Sequence, residues 1–124
     1  MRKYGSDPLA ERAVSSHYEI DDLKKFGDIG KHGKEHADLF FKYYGAVTGQ
    51  DGALSKREKA LIALAVAHSE KCPYCIDAYT SACLEAGANP QQMMEAVHVA
   101  AVMKAGITLA HTIQMSNHLD KLVL

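Results

Sequence analysis

The run Leu61-Ile62-Ala63-Leu64-Ala65-Val66-Ala67 is the feature that most constrains the fold. It follows Ser55, and Glu58 stands three residues after that serine. Ser and Glu at this spacing form a capping box, so a helix opens there. The run is apolar almost all round, and such a helix is buried. Other helices must therefore surround it, because no segment shows the period-2 alternation and turn signals of a half-buried strand.

The rest of the chain supplies those helices. A short one starts near Asp21. Residues 29–48 carry Leu39, Phe40, Tyr43, Tyr44 and Val47 at helical spacing, and Gly49-Gln50-Asp51-Gly52 is a turn. A helix over Ile76 to Ala86 ends at Gly87, a suitable C′ residue. Asn89-Pro90 caps the next, over Gln91 to Lys104. Gly106 marks a break or a close contact, and a last helix covers Ile107 to Leu122. The expectation is an all-α single domain, a bundle of about six helices over residues 19–124, preceded by a flexible polar arm over 1–18.

Composition narrows the function. Hydrophobic residues make up 48% of the 124 and the formal net charge is −1, which suits a globular chain and gives no support for nucleic-acid binding. No unbroken apolar run approaches the roughly 18 residues of a membrane helix, so no membrane role is expected. Residues 1–18 lack the apolar core of a signal peptide. Three cysteines, two of them in one Cys-x-x-Cys, do not make a secreted disulfide framework. The expected compartment is the cytoplasm, where a dithiol is more often redox-active than structural.

That dithiol is Cys72-Pro73-Tyr74-Cys75. Helix residues i and i+3 share a face, so the two sulfurs can meet. The N–H groups and partial positive charge at a helix start stabilise a thiolate. Half a structural zinc site is the rival reading, but no second Cys-x-x-Cys or His-x-x-x-His lies at finger spacing from it. Cys83 lies eight residues after Cys75 and reads as a small core residue. Tyr79, one turn below Cys75, is either a hydrogen-bond donor to a thiolate or a half-buried aromatic. His68, near the end of the apolar helix, comes level with Cys75 if the two helices form a hairpin. It then pairs with the thiolate or shuttles a proton; the alternative is a histidine capping its own helix. Glu58 reads as the capping residue before a proton relay. His98 and His111 read as core histidines, with His111 the better site candidate. His17, His32, His36 and His118 read as surface. The small residues of 96–112 and Met93, Met94, Met103 and Met115 suit either ordinary core or a subunit interface.

The segment "LSKREKALIALAVAHSEKCPYCIDAYTSACLEAG", residues 54–87, resembles the AhpD-like alkylhydroperoxidase core of the carboxymuconolactone decarboxylase family. The likeness extends over roughly residues 20–115. "CPYCIDAYT" looks most like a small branch of peroxidase-like proteins associated with arsenosugar biosynthesis. The resemblance implies an all-α bundle that assembles as homotrimers or homohexamers. It implies a thiol peroxidase needing no cofactor or metal. Cys75 would be the thiolate that attacks a small hydroperoxide, and Cys72 would resolve the sulfenic acid to a disulfide. An external dithiol would then reduce it. The family's usual His four residues after the second cysteine is Tyr79 here, and its usual Glu falls at Ala60. The dithiol is kept and the Glu–His relay is not. A metal- or metalloid-binding dithiol module and a non-catalytic oligomeric protein are the two rivals.

Overall fold

The computed structural model describes residues 20–122, so the expected arm over 1–18 and His17 lie outside the described residues. A 3-10 helix spans Ile20–His32. Five α-helices follow: α1 (Lys34–Thr48), α2 (Lys56–Ser69), α3 (Pro73–Glu85), α4 (Pro90–Ala110) and α5 (Thr112–Lys121). No strand occurs among the described residues, so the chain is all-α, as its periodicity predicts.

The chain divides into two compact units, Met1–Tyr43 and Tyr44–Leu124. In the first, Phe26, Phe40 and Phe41 meet edge to face, with ring centroids 5.3 to 6.0 Å apart. This is the arrangement that the positive edge and negative face of an aromatic ring favour. Ala37 is buried and meets Gly30, where an added Cβ would come within 3.3 Å of the alanine methyl.

The second unit is built on α2, which packs against both α3 and α4. Its start is the expected capping box. Ser55 Oγ accepts the Glu58 N–H (3.1 Å), and the Glu58 carboxylate accepts the Ser55 N–H (2.9 Å). A second box that the sequence reading did not name opens α4: Asn89 with Gln92, at 2.8 and 2.9 Å. Leu64 and Cys83 meet in the core with Ala60 and Ala88, and Leu61, Tyr79, Ala82, Met93 and Val97 close around them.

Three expectations need correction. First, α2 is not buried all round. Leu64 is 2% exposed, but Ile62 is 52% and Val66 55% exposed, because α3 and α4 cover only part of its circumference. Second, Gly106 neither breaks the helix nor meets a neighbour. α4 runs through it to Ala110, an added Cβ there would meet nothing within 4 Å, and the break falls at His111. Glycine permits a bend without compelling one. Third, of the two readings of the small-residue and Met-rich stretch, ordinary core holds only near the start of α4, where Met93 and Val97 pack on the buried cluster. No residue of α4 or α5 is fully buried, and Val102, Ile107, Leu109, Ile113 and Met115 are each more than half exposed. His98 and His111 are exposed as well. By length and composition Pro90–Lys121 is apolar enough to cross a membrane, an 18-residue stretch within it having a mean hydropathy of 1.3. The count of unbroken apolar residues misses this, because Ala, Val, Met and Ile hold the average up across Lys104 and His98.

Candidate functional site: a dithiol at a helix junction

The turn between α2 and α3 sets the cysteine geometry. Glu70 is the C-cap of α2, and Lys71 beyond it takes the left-handed conformation, φ 55°. Lys71 N–H bonds to His68 O (3.1 Å) and Cys72 N–H to Ala67 O (3.0 Å). These two bonds make a Schellman motif. Cys72 is therefore the last residue tied to α2. It is also the N-cap of α3, with extended backbone (φ −98°, ψ 103°). Pro73 follows at the first helical position, where its missing N–H leaves nothing unsatisfied. The helix thus opens three residues before the expected Ile76.

The N-cap role puts the Cys72 sulfur where a serine oxygen usually sits. Cys72 Sγ accepts the Cys75 N–H at 3.4 Å. The two sulfurs lie 2.7 Å apart, joined by a hydrogen bond, and both are half-buried free thiols. The spacing therefore does what the sequence predicts, and a disulfide needs little backbone movement to close.

The electrostatics divide the pair. The Cys75 side chain, then the Cys75 and Tyr74 backbone N–H groups, hold Cys72 below the ordinary thiol value against the effect of burial. Cys75 is pushed up to about 11, by burial first and then by its hydrogen bond to Cys72 and the charge there. The N–H groups that the sequence reading aims at Cys75 serve Cys72 instead, because the cap lies one residue before the helix. Of the two thiols Cys72 is the one that ionises first, and Cys75 holds its proton to higher pH.

Tyr79 is half-buried, one turn beyond Cys75 on α3. Its phenol is raised above the ordinary value by burial, by a hydrogen bond with Tyr44 and by the nearby Cys75 sulfur. Tyr44, on α1, meets the Tyr79 hydroxyl oxygen to oxygen. The sequence reading places Tyr44 only on a helix face. Thirty-five residues separate the two tyrosines, and no local pattern links them. Both line a cavity of about 650 Å³ with Lys56, Arg57 and Lys59 of α2.

His68 is half-buried, and its Nδ1 lies 2.9 Å from Leu64 O. A carbonyl only accepts, so Nδ1 carries the hydrogen and Nε2 is left as the basic nitrogen of the neutral ring. Lys104 donates from α4 to Ser69 O (2.8 Å), clamping the last turn of α2 just before the dithiol. Glu58 stays at its cap, its carboxyl lowered chiefly by the Ser55 N–H. Cys83 is fully buried, and burial pushes its thiol up. Among the described residues no three His, Cys, Asp or Glu side chains cluster as metal ligands.

Fold and site together define a class: an all-α protein with a dithiol at the start of a helix packed on a buried one. Residues 34–116 match the model of the carboxymuconolactone decarboxylase family, and the chain belongs to that family. It is also similar to "Uncharacterized protein 4 in cox locus" of Paracoccus denitrificans, 41% identical over 96 residues, covering 77% of this chain and 86% of that protein.

Proposed function

We propose that this protein is a thiol-dependent peroxidase and disulfide oxidoreductase of the AhpD-like kind. The observation that carries the reading is the 2.7 Å approach of Cys72 and Cys75 at the capped start of α3. In the singly ionised pair, the reactive form, the one remaining proton favours Cys75. When a small hydroperoxide enters, the proton passes to the Cys72 thiolate. Cys75 attacks the O–O bond, forming an S–O bond as O–O breaks. The peroxide is reduced to an alkoxide, which takes the proton held on Cys72, and Cys75 is oxidised to a sulfenic acid. The Cys72 thiolate then attacks the Cys75 sulfur. The disulfide forms and hydroxide leaves, taking up a proton to become water. An external dithiol of the cytoplasm restores the pair by exchange. His68, with Nε2 basic, serves as proton acceptor beside the turn; the Tyr79 hydroxyl donates to Tyr44 rather than to the attacking sulfur. Neither a metal nor an organic cofactor is required by this chemistry.

The active form is a symmetric homotrimer or homohexamer. The exposed apolar surface of α4 and α5 supports it, since a patch of that extent on a soluble chain marks an interface.

Substoichiometric peroxide added to the reduced protein tests the chemistry, followed by mass mapping without reductant. A Cys72–Cys75 disulfide within one chain is the expected main product. The Cys72→Ser variant should trap a sulfenic acid on Cys75 that a dimedone probe labels. A main product linking Cys75 to Cys83, or two chains through Cys72, would overturn the reading.

A further inference from the structure

Three helix faces within the unit Tyr44–Leu124 leave a space that their side chains do not fill. Lys59, Ala60 and Ala63 lie about one turn apart on α2, and Tyr79, Ala82 and Ala86 share one face of α3. Tyr44 and Thr48, in the last turn of α1, close the third side. Alanines on both α2 and α3 bring only methyl groups to the gap. A cavity of about 650 Å³ remains, within the roughly 300 to 1,000 Å³ of small-molecule sites. Neither Cys72 nor Cys75 lines it.

The charges gather at one level. The alanines are buried or half-buried, whereas Asp51, Lys56, Arg57 and Glu85 are exposed and so form the rim. The Asp51 carboxylate is engaged, accepting the Lys56 backbone N–H (2.7 Å). Lys59 is engaged too, donating to Gln50 O (2.9 Å). The Lys56 ammonium and the Arg57 guanidinium make no such bond among the described residues. Three cations against two carboxylates leave one positive charge around the cavity. That suits a monoanion and not a dianion such as a phosphate ester. A guanidinium fork matches a carboxylate through two parallel hydrogen bonds.

We infer that this cavity binds a small monocarboxylic acid with a compact apolar body: the carboxylate sits on Arg57 and Lys56 at the rim, and the apolar part lies on the alanine methyls between α2 and α3. The site goes beyond the thiol chemistry proposed above and needs neither cysteine of the pair.

The test is an NMR titration of reduced full-length protein with isotope-labelled alanine methyls. Three probes share one ring and differ in charge: cyclohexanecarboxylate, cyclohexanecarboxamide and cyclohexylmethylammonium. The carboxylate should shift the methyls of Ala60, Ala63, Ala82 and Ala86 saturably, with half-saturation at about 1 mM, ordinary for a ligand of so few atoms. The carboxamide keeps the ring and loses the charge, and should bind about tenfold more weakly. Arg57→Gln should weaken the carboxylate about tenfold and leave the carboxamide unchanged. Arg57 is exposed, so this variant keeps its fold. Ala63→Leu fills the gap and should abolish binding of both. Equal affinity for acid and amide, tighter binding of the ammonium, or full carboxylate affinity in Arg57→Gln each overturns the inference. So does a response confined to exposed alanines of α4 such as Ala101 and Ala105, which marks adsorption to apolar surface. No methyl shift at about twenty times the expected half-saturation overturns it as well. The probes carry no O–O bond, so a protein inert to peroxide would sink the peroxidase reading and still let these titrations judge the cavity.

Discussion

The two thiols of one four-residue motif titrate in opposite directions, and this gives a first prediction. Cys72 is held low chiefly by the Cys75 side chain, and Cys75 is held near 11 chiefly by burial. Alkylation of the reduced protein at pH 7 to 8 should label Cys72 first, with Cys75 following only toward pH 11; peptide mapping of a time course reads the order. In Cys75→Ser, Cys72 loses its main stabiliser and its midpoint should rise. In Cys72→Ser, Cys75 keeps its burial and should stay above the ordinary thiol value. The sign for stability follows from linkage. Cys75 has a raised folded pKa, so its contribution is complete below about pH 9 and is lost as pH climbs toward 11. Cys72 has a lowered one, so its contribution is complete above the ordinary thiol value and lost as pH falls through the folded one. Denaturant unfolding of reduced protein between pH 8 and 11 should show the decline that Cys75 causes, and Cys75→Ser should flatten it. At this scale the sequence revealed the motif, the spacing and the candidate Tyr79. It could not reveal which thiol ionises, because that depends on Cys72 being the cap residue, a one-residue matter of where the helix begins. Nor could it reveal Tyr44, whose partner lies far along the chain.

Helix boundaries were the most legible part, wherever the chain ends its elements with side chains. Ser55 with Glu58 and Asn89 with Pro90 both stand where the sequence put them. Gly87 does too: it lies at φ 90° just past α3, with Gly87 N–H on Leu84 O and Ala88 N–H on Cys83 O. The same hydrogen-bond pattern recurs at Lys71, where a residue with a Cβ holds the left-handed conformation. This junction was invisible in the sequence because no glycine marks it. The two positions predict opposite outcomes. Gly87→Ala forces a methyl into a left-handed residue and should cost about 1 kcal/mol. Lys71→Gly relieves that strain, offset in part by the freer unfolded chain, and should be neutral to stabilising by up to about 1 kcal/mol. Urea unfolding of both variants decides it; a loss of stability in Lys71→Gly larger than that in Gly87→Ala would show that Lys71 is held by something other than backbone geometry.

Across the whole molecule the all-α class followed from periodicity, but burial did not. Periodicity says which residues are apolar, not which of them the fold covers. Hence α2 shows an open side at Ile62 and Val66, and α4 and α5 are exposed where core was one of the two expectations. Light scattering at micromolar concentration should report a trimer or hexamer. Gly106 offers a sharper probe, since a side chain there meets nothing within the chain. Gly106→Leu should leave each chain's helicity intact or slightly higher and weaken the assembly. An unchanged mass in that variant would place the subunit contact elsewhere, and a monomeric parent protein would remove it altogether.

Among the described residues only Leu64 and Cys83 are wholly shut away from solvent, and four alanines complete the buried set. In the proposed oligomer, a chain with so small a private interior would draw cover from its partners. Its melting temperature should therefore behave like a binding constant, climbing with protein concentration and sliding on dilution. The fraction of working dithiol in a cell would then be set by how much of the protein is made.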